Sequence, residues 1–178
     1  MIYNETIFGS FVFLKSADLE DASFTLSVRQ DPSLTVFLPK LDISLNKQKE
    51  WISKQRGKKG DYFFVIFNKR GERIGTSGVY DVENGSAETG RLTSIGNPFE
   101  SLEAQYLSFV FAFDVLKLKS TRCHVYKNNT KAIHLSEFFG TTFSPSRIEK
   151  NIEICDGILT CEAFKEKEAF VKRMLYRR

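Results

Sequence analysis

Cysteine, proline and long apolar runs are all scarce in this chain, and each scarcity removes a class of protein. The three cysteines, Cys123, Cys155 and Cys161, are odd in number and stand in no metal-ligand spacing. That excludes a disulfide framework and a zinc module, and fits reduced thiols in a reducing compartment. No apolar run approaches the roughly 20 residues that span a bilayer. The first lysine is Lys15, and the apolar stretch Phe11 to Leu14 is too short for a signal core, so a cytoplasmic protein with no membrane partner is expected. A basic stripe is also missing. The net charge is +4, from 26 Lys+Arg against 22 Asp+Glu, and the basic residues are spread along the chain except for Lys172, Arg173, Arg177 and Arg178 at its end. Solvated charge near a terminus is not a nucleic-acid footprint, and no nucleic-acid partner is expected. With 4 prolines, no repeat and no linker, residues 1–178 read as one domain.

What the chain has in plenty is aromatic side chains. The 17 Phe and 6 Tyr, within a hydrophobic content of 42%, are enough to build a core of large rings. Ser10 to Lys15 is strand-like, and Ala17, Leu19, Ala22, Leu26 and Val28 follow helical spacing behind Ser16 as N-cap. A second, polar helix runs from about Ser44 to Gln55 and is stopped by Arg56 to Gly60. Strands follow at Tyr62–Phe67, Ile74–Tyr80 and Ala87–Ile95, joined by turns at Asn68–Gly71 and Glu83–Gly85. Leu102 to Leu118 reads as a helix buried on more than one face, since only Glu103, Asp114 and Lys117 are charged. Thr121–Tyr126 is a strand, Asn129–Phe139 a helix closed by Gly140, and Ile148–Phe164 a hairpin turning at Asp156-Gly157. A polar helix from Lys165 to Tyr176 completes an α+β domain.

This order, together with Trp51-Ile52, Ile74-Gly75-Thr76, Ala87 to Arg91, Leu102-Glu103-Ala104 leading into Phe111–Leu118, and Asn129 to Gly140, resembles the GNAT superfamily of N-acetyltransferases. Its ribosomal-protein-type and nucleotide-amino-sugar branch is the most similar. The resemblance implies a central mixed, mostly antiparallel sheet of about seven strands with helices on both faces, the fourth and fifth strands splayed. Acetyl-CoA would lie in that wedge as cosubstrate, its pantetheine arm along the fourth-strand backbone at Leu92 and Thr93. Its pyrophosphate would lie against the loop and helix start at Ile95, Gly96, Ser101 and Leu102, where free helix-end amides attract anions. The chain departs from the family's glycine-rich loop, offering only Gly96 and placing Glu100 and Glu103 near the first helical turn. Acidic groups there favour an empty helix end by roughly 0.3–1 kcal/mol each. Asn129 matches an asparagine that contacts the pantetheine, and it also suits a helix cap, with Lys127, Asn128 and Lys131 around it.

The implied reaction is attack of a primary amine on the thioester. Glu88 falls where relatives carry a catalytic base, the competing role being a solvated strand residue that balances Arg91; Asp81 and Glu83 are alternatives at the preceding turn. The position where many relatives carry an acidic Tyr, four residues before Gly140, holds Ser136, with His134 two residues away. A thiol leaving group, with pKa near 8.5, needs little acid assistance. Trp51, Phe37, Tyr80 and Arg91 are candidates for lining the acceptor site. The segment from Gly90 to Ala104 points to a small-molecule amine, an amino sugar on a nucleotide, ahead of a protein N-terminus. A non-catalytic cofactor-sensing or interaction module is the other reading. Sugar-modifying relatives commonly dimerise, so a homodimer is an expectation of the resemblance. No metal site is expected.

Overall fold

The computed structural model describes residues 1–176; Arg177 and Arg178 lie outside the described residues. Strands are β1 (Ile7–Phe8), β2 (Val12–Ser16), β3 (Tyr62–Asn68), β4 (Arg73–Glu83), β5 (Ser86–Ser94), β6 (Ser120–Tyr126), β7 (Thr142–Phe143), β8 (Arg147–Glu149) and β9 (Ile152–Thr160). Helices are α1 (Ala22–Gln30), α2 (Leu45–Gly57), α3 (Pro98–Val110), α4 (Thr130–Phe138) and α5 (Cys161–Tyr176). All strands join one sheet in the order β1-β2-β3-β4-β5-β6-β9-β7, with β8 also on β9. The pairings are antiparallel except for β5 with β6. The architecture is the expected α+β sheet; the count rises to nine because β1 and β7 are two-residue additions too short to show a period.

The near-continuous apolar run of β3 is buried on both faces. Strand alternation sends Phe63 and Val65 toward Ala17 and Phe24, and Tyr62, Phe64 and Ile66 into the main core with Phe111, Phe139 and Phe164. No helix among the described residues is long and apolar enough to cross a membrane.

Four sequence expectations shift. Ser16 ends β2 and bonds Tyr3, while Asp18 caps the 3-10 turn Leu19–Asp21 ahead of α1. The helix expected from Leu102 starts at Pro98, because Asn97 is a cap and Pro98 fits the first helical position. It gives way to a π-helical turn over Phe111–Val115. The final helix begins at Cys161 instead of Lys165. The last hairpin turns at Lys150-Asn151, both in the left-handed region at φ 48° and 65°. Asp156-Gly157 instead lies inside β9, opposite His124 and Cys123. Gly157 is needed there for close approach: a Cβ would meet Cys123 Sγ and Phe143 at 2.7 Å.

Glu103, expected near the phosphate loop, is fully buried. Its carboxylate accepts the backbone N–H groups of Ser10, Phe11 and Val12 at 2.7, 2.6 and 2.8 Å, tying the start of β2 to α3. Glu103→Ala strands three backbone donors, of which that of Val12 is buried, and is expected to cost about 2–4 kcal/mol in urea unfolding; a loss below about 1 kcal/mol would show that water or rearranged backbone replaces the carboxylate.

Candidate active site

β5 and β6 pair in parallel at Ser86 with Ser120, Ala87 with Thr121 and Glu88 with Arg122, and then part. On its other edge β5 carries a bulge. Between the pairs Thr76↔Thr93 and Gly78↔Gly90, Ser77 of β4 faces both Arg91 and Leu92 of β5. A bulge bends and twists its strand, and this one falls where β5 leaves β6. Arg91 sits at φ 53°, a conformation that costs a non-glycine residue of order 1–3 kcal/mol unless its surroundings enforce it. They do. Its guanidinium donates to both carboxylate oxygens of Asp61 at 2.6 and 3.1 Å, and lies 4.0 Å from the Tyr80 ring centre and 5.4 Å from that of Trp51. Thr76 Oγ1 donates to the Arg91 carbonyl at 2.8 Å. Asp61 is buried; burial pushes its carboxyl up, but the Arg91 hydrogen bonds and charge, with Gln55 and Lys58, leave it below the ordinary carboxylate range.

A cavity of about 250 Å³ opens at the divergence. Register places its walls on opposite faces of the sheet. Tyr80, Glu88 and His124 line it from the α1/α2 face together with Phe37, whereas Cys123 and Ser136 line it from the α4 face. Tyr80 donates to Glu88 Oε1 at 2.8 Å, and burial, reinforced by that carboxylate, raises the phenol's pKa so that it stays a donor. His124 Nδ1 is 2.6 Å from Asp156 Oδ1, and its Nε2 is 3.8 Å from Glu88 Oε2. Arg147 Nε donates to Asp156 Oδ2 at 2.6 Å; this bond first, and then the one from His124, holds the Asp156 carboxyl below its usual value. Burial raises the Cys123 thiol to about 11 against the opposing Ser136 hydrogen bond, so it is protonated near neutrality and unsuited to nucleophilic attack.

Leu92, Asn129 and Arg91 also border the cavity. Neither Arg91 nor Leu92 has a ladder partner on β4 or β6. Asn129 caps α4, accepting from Ala132 N at 3.2 Å. Ser136 Oγ donates to the Ala132 carbonyl at 2.9 Å. Trp51 packs edge-on to Phe63 behind Arg91, outside the cavity. Asp81 pairs with Lys58 and, like Glu83, lies outside the cavity. His134 is exposed on α4. Thr93 is buried against β4, its hydroxyl 2.8 Å from that of Thr76.

The start of α3 is closed upon itself. Ile95 N donates to the Ile74 carbonyl, Gly96 N to Ser94 Oγ, Asn97 N to Glu100 Oε2, both Phe99 N and Glu100 N to Asn97 Oδ1, and Ser101 N to the Asn97 carbonyl. Pro98 has no N–H. Ser101 and Leu102 therefore belong to a helix already under way, and none of the amides from Ile95 to Ser101 is free for an anion. Sequence reasoning missed His124, Asp156 and Arg147. The only signal was the Asp-Gly pair, which reads as a turn until β9 is known to lie against β6.

Residues 12–142 match the Acetyltransferase (GNAT) domain family. The chain belongs to the GNAT acetyltransferase family. No curated protein sequence matches it. Among solved structures, the apo form of FdhC, a nucleotide-linked sugar GNAT, superimposes with TM-score 0.84 at 21% identity, over 98% of this chain and 100% of that one. A GCN5-related N-acetyltransferase from Brucella melitensis gives 0.81 at 17%, covering 98% and 87%. The spermidine N-acetyltransferase from Vibrio cholerae, in complex with CoA and spermine, gives 0.81 at 17%, covering 88% and 99%. In this GNAT domain no group of three or more His, Cys, Asp or Glu among the described residues could hold a metal ion.

Two outcomes are expected from this geometry. Arg91→Ala leaves Asp61 buried without its main partner and should cost about 3–5 kcal/mol, part of which Asp61→Asn in the same chain restores; additive losses in the double variant would contradict the pairing. In a Cys155→Ser/Cys161→Ser background, alkylation of Cys123 by iodoacetamide should rise about tenfold per pH unit between 7 and 10, following the thiolate, and rapid modification at pH 7 would contradict the raised pKa.

Proposed function

We propose that this chain transfers an acetyl group from acetyl-CoA to the primary amine of a small molecule, with an amino sugar carried on a nucleotide as the preferred acceptor. The observation that carries this reading is the through-sheet cavity at the parting of β5 and β6, with the Glu88 carboxylate on one wall and the bulged β5 segment at Arg91 and Leu92, which has no ladder partner, on another. A strand edge without a ladder partner at Arg91 and Leu92, with Asn129, suits the amide-rich pantetheine arm, whereas the self-capped start of α3 does not fit a diphosphate as it stands. Acetyl-CoA, when bound, supplies the acetyl group as a thioester and leaves as the thiol. Glu88, fixed by Tyr80, meets the incoming ammonium and favours its approach. The amine must lose a proton before its lone pair can form the new C–N bond, and the carboxylate beside it is suited to assist. Ser136 stands on the opposite wall, and its hydroxyl would have to turn from the Ala132 carbonyl to donate to a thiol sulfur.

The preference for an amino sugar is supported by the Gly90–Ala104 segment and by the likeness to FdhC over the whole of both chains. The cavity's volume suits the reacting end of an acceptor, with a nucleotide left outside it. The closed helix end favours the rival reading, a fold kept without catalysis.

Calorimetric titration with acetyl-CoA, followed by thiol-release assays on nucleotide amino sugars, spermidine and peptide N-termini, tests both. Micromolar binding and turnover of an amino sugar are expected, and Glu88→Gln should lower kcat/KM about 10²–10⁴-fold. Absence of binding at millimolar acetyl-CoA would overturn the enzyme reading.

A further inference from the structure

The cavity holds a second base beside Glu88. Arg122 is the Cα partner of Glu88, and His124, two residues further along β6, is the Cα partner of Asp156 on β9. Alternation therefore puts Glu88, His124 and Asp156 on one face. An ionised carboxylate only accepts hydrogen bonds. The 2.6 Å contact to Asp156 thus places the imidazole proton on Nδ1 and leaves the Nε2 lone pair exposed. That lone pair is not spent on Glu88, since 3.8 Å is beyond hydrogen-bond reach and Glu88 has no proton to give when ionised. Glu88 Oε1 is occupied by the Tyr80 phenol, which leaves Oε2. Nε2 and Oε2 are two acceptors 3.8 Å apart on the cavity wall. A nitrogen about 2.8 Å from each, a normal donor distance, can direct one N–H to each of them.

We propose that His124 is the proton acceptor of the acetyl transfer and that Glu88 holds the ammonium for it; this rests on the acyl-transfer reading. A carboxylate alone stabilises an ammonium as the cation, and imidazole is intrinsically the stronger base. The ammonium N–H bond breaks toward Nε2, its electron pair stays on the nitrogen to attack the thioester carbon, the C–S bond breaks, and the departing thiolate takes the nitrogen's second proton, while the new imidazolium is stabilised by Asp156 as an orienting carboxylate. Arg147, paired with Asp156 from β8, keeps that carboxylate ionised and in place. The other charged or titratable groups lining the cavity around the ring are Glu88 and Arg91 on β5, Tyr80 on β4, and Arg122, Cys123 and Tyr126 on β6 itself. His124 is 43% exposed, so its proton can pass to water after each turnover.

The chain has 2 histidines, so His134→Gln leaves His124 as the sole imidazole for long-range ¹H–¹⁵N correlation spectroscopy. The neutral ring is expected as the Nδ1–H tautomer, and an Nε2–H tautomer overturns the proposal. His124→Asn keeps a donor for Asp156 but lacks Nε2. With the amine that the wild type acetylates fastest among nucleotide amino sugars, spermidine and peptide N-termini, it should lose about 10²–10³-fold in kcat while acceptor KM changes less than about threefold. The His124 ionisation should also vanish from the pH profile, and added imidazole should restore part of the rate. Glu88→Gln should take the larger part of its loss in kcat/KM through a raised KM. Wild-type turnover with an unchanged His124→Asn pH profile defeats this proposal alone, whereas a wild type that acetylates no amine defeats the acyl-transfer reading and this proposal with it.

Discussion

The pair between Arg91 and Asp61 is the interaction on which the rest of the site depends. A non-glycine residue at φ 53° in the middle of a strand is held there only if side-chain energy outweighs backbone cost. Two hydrogen bonds to a buried carboxylate, with a tyrosine ring against the guanidinium, supply that energy. Asp61 is itself placed by Gln55 of α2, which donates to its carbonyl at 2.7 Å. The anchor thus runs from a helix on one face of the sheet, through a buried charge, to the bulge that accompanies the parting of β5 from β6. The cavity lies at that parting, and Arg91 and Leu92, which have no ladder partner, are among its lining.

The cavity's two walls carry different chemistry because it passes through the sheet. One wall has Glu88, Tyr80 and His124, with Asp156 behind the imidazole, so that acceptors and a donor meet there. The other has a protonated thiol and a serine hydroxyl, neutral groups beside an apolar core. The proposed reaction, in which a charged amine meets a neutral thioester, suits that division, since the two walls differ in polarity as those partners do. The glutamates of α3 complete the contrast. Glu103 is spent on the amides of Ser10 to Val12 inside the fold, and Glu100 on its own helix cap, so neither carboxylate belongs to the cavity.

Much of the scaffold was legible from residues near one another in the chain. The Asn84-Gly85 turn, with both residues at positive φ, is where the sequence puts it, and Ser44 caps α2. The aromatic run of β3 and the apolar α3 announce a sheet covered on two faces. Within the site, Glu88, Tyr80, Leu92, Asn129 and Ser136 were legible through the family resemblance, and all five border the cavity. The errors share one cause. Asp156-Gly157 is read as a turn when only its neighbours in sequence are considered, but it lies mid-strand because Gly157 must pass Cys123 and Phe143 and Asp156 must face His124. Trp51 looked available for an acceptor and lies instead outside the cavity, against the Arg91 guanidinium.

By itself the sequence determined the α+β class, the order of the elements, the hairpin turns before β4 and β5 and the family, because periodicity, capping and turn chemistry act over a few residues. Tertiary structure alone decided which groups meet: Arg91 with Asp61, Glu103 with the start of β2, and His124 between Glu88 and Asp156. Those contacts join residues 30 to 93 positions apart, and the register that brings strands together is set by which faces must be buried, a condition that no local pattern contains.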